Sequence, residues 1–112
     1  VGKTLGEFEQ LVLFALVALG EEAYGASVRR EIEERTGRSV SAGAVYTVLE
    51  RLESHGLVAS WVGEPSPERG GRRKKHYRLE PEGAHLLRRS RDELLNMSRG
   101  LATRLDRLAD EG

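Results

Sequence analysis

Cysteine is absent from the chain, which excludes disulfides and thiolate-bound zinc as supports for the fold and agrees with a reducing cytosol. Long hydrophobic runs are absent too. The longest apolar stretch, Leu11 to Leu19, covers nine residues, about half of what a bilayer-crossing helix needs. It has no basic flank and no small-residue cleavage signal after it, so neither a membrane span nor a secretory peptide is expected. A cytoplasmic protein is the expectation. With 112 residues there is room for one domain with one hydrophobic core and an appended element.

Catalytic groupings are missing as well. His55, His76 and His85 stand 21 and 9 residues apart, unlike the close ligand pairs of zinc sites. Ser27, Ser39, Ser41, Ser54 and Ser60 lie in no nucleophile elbow. Gly70 and Gly71 open onto a basic run but carry neither a Gly-Lys-Ser/Thr signature nor a dinucleotide fingerprint. No enzyme, no metal and no cofactor are expected.

Net charge is missing in total but not locally. Eighteen Lys and Arg offset eighteen Asp and Glu. Residues 69–78 nevertheless carry Arg69, Arg72, Arg73, Lys74, Lys75 and Arg78 with no acidic residue, leaving net −5 on the first 68 residues and −1 on the last 34. A segment at +6 between acidic blocks points to local contact with a polyanion. The plain alternative is a solvated surface hairpin.

What the chain does contain sets out a fold. Thr4 and Glu7 have capping-box spacing, which starts a helix there. Phe8, Leu11, Val12, Phe14, Ala15, Val17, Ala18 and Leu19 cover so much of its circumference that the helix is expected at the centre of the core, ending at Gly20. Tyr24 and Gly25 precede a second helix, with Val28 and Ile32 inward and Gly37 at its left-handed C-terminal position. Ser41 caps a third. There Ala44, Val45, Val48, Leu49 and Leu52 face inward, and Ala42, Gly43, Tyr46, Thr47, Glu50 and Arg51 face wholly or partly outward; Gly56 closes the helix. Leu57–Val62 and Lys75–Leu79 read as strands, joined by a long flexible tip containing Gly63, Pro65, Pro67, Gly70 and Gly71. Three helices and then a two-stranded hairpin make a mainly α (α+β) fold, a winged helix-turn-helix domain over residues 1–80.

Pro81 suits the first position of a last helix, so residues 81–112 form a C-terminal helical element. Leu87, Leu94, Leu101 and Leu108 fall seven apart, with Ala84 and Leu105 at offset positions, a seam for helix-on-helix packing. Arg91 and Ser98 interrupt the offset row, and Gly100 costs roughly 1 kcal/mol of helix propensity. A homodimer through Leu87, Leu94, Leu101, Leu105 and Leu108 is expected, on a helix bent near Gly100. The alternative folds this helix back on its own domain.

The third helix has the size to enter the major groove of double-stranded DNA with its first residues nearest the base edges. Ser41, Ala42 and Gly43 allow close approach. Tyr46 is placed to bond a phosphate and Thr47 to meet a base or a thymine methyl, while a half-buried core tyrosine is the alternative for Tyr46. Arg51 stands too far along the helix to read a base and is assigned to the DNA backbone or a salt bridge. Arg72, Arg73, Lys74 and Lys75 of the wing complete the expected DNA-binding set.

With these motifs in view, the chain resembles the PadR-like transcriptional regulators over about Leu11 to Leu87. The resemblance rests on Tyr24-Gly25, on the run from Ser41-Ala42-Gly43-Ala44-Val45-Tyr46 to Leu52-Glu53, on Gly56-Leu57-Val58 and Trp61, and on Gly71-Arg72-Arg73-Lys74-Lys75-His76-Tyr77-Arg78-Leu79 with Gly83. It implies a homodimeric bacterial repressor whose Tyr46 touches DNA and whose hairpin reaches the backbone or minor groove, on an operator expected to be pseudo-palindromic. Glu80 stands where the family usually has Thr, so a different cap for the last helix is implied. The C-terminal region is short, as in the subgroup with a single terminal helix. No small-molecule effector is fixed by this pattern, and only Trp61, Phe8 and Phe14 are aromatic candidates for an effector pocket at a dimer interface. The rival function is a winged-helix protein-protein interaction module that meets an acidic partner.

Overall fold

The computed structural model describes residues 4–64 and 73–112. The hairpin tip, with Pro65, Pro67, Gly70, Gly71 and the basic residues Arg69 and Arg72, lies outside the described residues. The order is α1 (Glu7–Leu19), a 3-10 turn (Gly20–Glu22), α2 (Gly25–Thr36), α3 (Ala42–Ser54), β1 (Val58–Val62), β2 (Lys75–Leu79), α4 (Pro81–Ser98) and α5 (Ala102–Asp110). It is a mainly helical fold with a small two-stranded wing.

Helix α1 begins later than the Thr4 and Glu7 spacing implies. Gly6 is its N-cap, and the Gly6 N–H donates to Glu9 Oε1 at 2.8 Å. Leu5 is buried just ahead of the cap, which requires an extended lead-in where a Thr4 cap would have started the helix. Glu7 turns instead to Arg38, 2.9 Å away. Nor is α1 enclosed on all sides. Val12, Leu13, Ala15 and Leu16 are buried, but Phe14 is 41% and Val17 60% exposed, because the other elements of this chain cover only one side of the helix.

Local chemistry sets the remaining helix ends. Gly37 takes the left-handed conformation at φ 74° and its N–H reaches the Glu33 carbonyl at 2.9 Å, the usual close of a helix by a residue without a Cβ penalty. Ser41 Oγ accepts the Ala44 N–H at 3.1 Å, a cap worth about 1 kcal/mol. Val45, Val48, Leu49 and Leu52 then form the buried stripe of α3. Ala44, expected inward, is exposed along with Ala42 and Gly43, since the first turn of α3 protrudes beyond its neighbours.

The strands pair antiparallel, with Val58 opposite Leu79, Ser60 opposite Tyr77 and Val62 opposite Lys75. Tyr24 adds a single bridge to His76 on the free edge of β2, and the Tyr77 N–H donates to the Ala23 carbonyl at 2.9 Å. The wing is thereby tied to the start of α2. Tyr77 is among the largest fully buried side chains; burial, followed by the negative charges of Glu53 and Glu50 and by Tyr46, raises its phenol above the usual 10.0. A raised pKa means a contribution present below the unfolded value and lost as pH rises through the folded one. The melting temperature is therefore expected to fall in alkali above about pH 10, and Tyr77→Phe should remove part of that fall; identical alkaline curves for the two proteins would exclude this role.

The C-terminal region departs from the single bent helix. α4 stops at Ser98, Gly100 adopts φ 76°, and α5 starts at Ala102 with Leu101 as N-cap. A left-handed residue cannot continue a right-handed helix, so the seven-residue seam is cut at Leu101. Leu87 is also reassigned: at 4% exposure it belongs to the core of its own chain, where α4 lies against α1. Past it Leu94, Leu95, Met97, Leu101, Leu105 and Leu108 are all exposed. The radius of gyration, 16.5 Å, exceeds the roughly 13 Å of a compact chain of about this size; the uncovered C-terminal arm accounts for an elongated shape. Among the described residues no helix is long and apolar enough to cross a membrane.

Candidate nucleic-acid interface

The turn between α2 and α3 is held by side chains of α2. Arg29 Nε donates to the Val40 carbonyl at 2.9 Å, Glu33 accepts the Val40 N–H at 3.1 Å, and the two side chains meet at 3.6 Å. Both backbone groups of Val40 are thus satisfied from one helix, which fixes the angle at which α3 leaves. Ser41, Ala42, Gly43, Tyr46 and Thr47 stand on the outer side of that helix, all exposed. A Cβ at Gly43 would meet nothing within 4 Å and no positive φ requires a glycine there. The fold itself does not demand this residue, although glycine costs about 1 kcal/mol in a helix relative to alanine.

Tyr46 has a different relation to the fold. Its ring end occupies the space that a Cβ on Gly25 would fill, so the glycine at the start of α2 exists in register with the tyrosine of α3. The ring is 44% exposed, and among the described residues its hydroxyl has no hydrogen-bond partner. The ring end lies against the start of α2. At the base of the wing Trp61 stacks on His76 with centroids 5.2 Å apart, and the His76 Nδ1–H donates to the Glu21 carbonyl at 3.1 Å. These contacts anchor the root of the hairpin.

Residues 13–89 match the family described as "Transcriptional regulator PadR-like family". The chain belongs to that family. It is a DNA-binding regulator of transcription and not an enzyme. Its fold is similar to a PadR family transcription regulator of Clostridium difficile, with TM-score 0.73, 25% identity and 89% of this chain and 99% of that one covered. A PadR family regulator of Eggerthella lenta is 29% identical, with TM-score 0.67 over 88% and 86% of the two chains. PadR of Bacillus subtilis, solved in complex with operator DNA, shares the fold at TM-score 0.61 and 22% identity, over 72% of this chain and 45% of that one. A comparison with curated proteins yields no match.

Within this PadR-like domain the residues expected at DNA divide into two groups. Ala42, Gly43, Tyr46 and Thr47 share an open face of α3, and Arg73 is exposed at the described end of the wing; Arg72 lies outside the described residues. Arg51 and Lys75 are engaged elsewhere. Arg51 Nε meets Glu9 Oε2 at 3.3 Å, because Glu9 is nearly buried and a buried carboxylate needs a partner. Lys75 Nζ lies 3.7 Å from Glu53 Oε1, the carboxylate that also accepts the Ser60 hydroxyl. That second pair is solvent-exposed and worth only about 0–1 kcal/mol, so Lys75 can exchange its partner, whereas Arg51 is a fastener between α1 and α3. Glu80, at the N-cap of α4, turns its carboxylate to Arg78 at 3.3 Å and makes no side-chain cap.

Among the described residues, two of the aromatic candidates for an effector pocket line different hollows. Trp61 lines a cleft of about 650 Å³ with Leu16, Glu21 and Arg78, and Phe14 lines a separate hollow of about 180 Å³ with Val17, Ala84 and Leu87. Among the described residues no group of three or more His, Asp or Glu could hold a metal ion.

Tyr46→Phe separates a DNA contact from a fold contact. With no partner for the hydroxyl within the described residues, the melting temperature should barely move, while binding to a phosphate through that hydroxyl should weaken by about 1 kcal/mol. A lowered melting temperature with unchanged DNA affinity would assign the hydroxyl to the fold.

Proposed function

We propose that the protein is a sequence-specific, homodimeric DNA-binding repressor of the cytoplasm, with α3 in the major groove and the wing on the backbone. The observation that carries this reading is the open first turn of α3, in which small Ala42 and Gly43 stand beside Tyr46 and Thr47. A relative solved with operator DNA supports the same partner. The exposed leucines and methionine from Leu94 to Leu108 support pairing of the C-terminal arms of two copies, and a two-fold protein fits a pseudo-palindromic site. In this reading Leu94, Leu101, Leu105 and Leu108 meet the partner copy, while Leu87 braces the arm from inside.

The test is binding of a duplex selected from a random library, measured at two salt concentrations. Phosphate neutralisation makes the affinity fall steeply with salt. Thr47→Ala is expected to cost about 1–3 kcal/mol on the selected sequence and little on a scrambled one. Equal losses on both duplexes would remove Thr47 from base reading, and no binding to either would favour the protein-interaction reading.

A further inference from the structure

The basic residues of the winged-helix unit are not equivalent once their partners are known. Nine Lys and Arg lie between residues 4 and 80 among those described. Six of them, Arg29, Arg35, Arg38, Arg51, Lys75 and Arg78, stand within 4.0 Å of a carboxylate. Among the described residues Arg30, Arg73 and Lys74 have no such pair, and two of these three converge on one side chain. Lys74 Nζ sits 4.2 Å from the centre of the Tyr24 ring, and the guanidinium of Arg30 is near enough to the same tyrosine to help lower its pKa.

The backbone explains why residues so far apart in sequence meet. Tyr24 is the extended N-cap of α2 and forms the single bridge to His76 on β2, which brings Lys74, the residue just before the strand, over its ring. The Tyr24 and His76 rings meet in a T-shaped contact with centroids 5.7 Å apart. Arg30 lies on the next turn of α2 and is exposed. On the other side, Gly25 carries the ring of Tyr46. A continuous path therefore runs from α3 through Tyr46, Gly25 and Tyr24 to the wing.

We infer that Tyr24, Arg30 and Lys74 form one seat for a single DNA backbone phosphate, bridging the recognition helix to the wing. The inference rests on the DNA-binding reading and adds to it a site at α2 that neither the charge run nor the helix pattern singled out. Two cations without carboxylates attract a phosphodiester, and guanidinium and ammonium donors suit its oxygens. Burial of the phenol opposes ionisation, but the hydrogen bonds and charges of Arg30 and Lys74 together lower its pKa. In the bound state the Tyr24 hydroxyl is a third donor to the oxyanion beside the two cations. Tyr46 is carried beside the same seat, so a phosphate held there sets how far α3 enters the groove.

One phosphate and two cations make a distinctive salt dependence. On the duplex selected by the wild-type protein, the double variant Arg30→Gln/Lys74→Gln should lower the slope of log affinity against log salt by about 0.9, the worth of one phosphate. A fall of about 1.8, the worth of two, overturns the shared seat. Tyr24→Phe should weaken binding about fivefold, the equivalent of about 1 kcal/mol, with the slope unchanged. Arg35→Gln, which removes one positive charge from the same helix as Arg30, serves as control and should match the wild type in slope and affinity. Melting temperatures of all variants should stay near the wild-type value, since Arg30 is exposed and Tyr24 and Lys74 are only partly buried. Wild-type affinity and slope in the double variant remove the seat while leaving the DNA reading standing. A wild-type protein that binds no duplex removes both. Inorganic phosphate at millimolar concentration should not compete beyond its effect on ionic strength; specific competition would make the site one for free phosphate and overturn its assignment to DNA.

Discussion

Gly83→Ala is expected to destabilise the domain by about 1–3 kcal/mol, the usual cost of forcing an extra carbon into a packed site. Helix propensity alone predicts the opposite sign, a gain of about 1 kcal/mol on replacing a glycine inside α4. Packing decides. A Cβ on Gly83 would fall on the Leu57 carbonyl oxygen and crowd the Leu79 side chain, and a backbone carbonyl cannot swing aside as a surface side chain does. The same carbonyl accepts the Glu80 N–H at 3.0 Å, so moving it also weakens the junction between β2 and α4. Urea denaturation of the two proteins is the measurement. A variant as stable as the parent would mean that α4 can slide away from Leu57 at little cost, and that the close contact does not hold the C-terminal arm in place.

The Leu94→Asp/Leu105→Asp variant is expected to sediment with the mass of one chain where the parent sediments as two. Leu94 is 62% and Leu105 64% exposed in the single chain, so the substitutions leave its own core intact and the melting profile of the winged-helix unit should persist. Loss of the second copy removes the second half-site contact, and affinity for a two-half-site duplex should drop by about 10²-fold or more. Leu87→Asp is no substitute probe, because Leu87 is inside the core and a carboxylate there unfolds the chain that is to be weighed. Unchanged mass in the double variant would place the dimer contact elsewhere, with the exposed Phe14 and Val17 face of α1 as the next apolar surface to alter.

The difference between Leu87 and the later leucines also measures what a repeat can tell. Spacing by seven made the four leucines equivalent, yet Leu87 meets α1 within the chain, Leu101 is an N-cap and only the others ride on exposed helix faces. Periodicity states that residues share a side; it does not state what covers that side. Gly100 was legible as a weak point, but its φ of 76° turns a weak point into a break. The basic residues followed the same rule. Arg51 reads as a DNA-backbone contact or a salt-bridge partner of neighbours on the Glu50 side, and the structure pairs it with Glu9, a carboxylate 42 residues away in sequence.

Local sequence sufficed for the features that are satisfied within a turn or two of chain: the Ser41 cap, the left-handed close at Gly37, the Pro81 start of α4 and the outward face of α3. Each depends on backbone groups a few residues apart, which local side-chain chemistry can supply. Tertiary contacts decide which cations lack a carboxylate among the described residues, which leucine is core, why Gly25 faces Tyr46 and why Gly83 lies against Leu57. Those outcomes depend on contacts between residues distant in the chain, and a charge or a methyl group takes its meaning from the partner that folding brings to it.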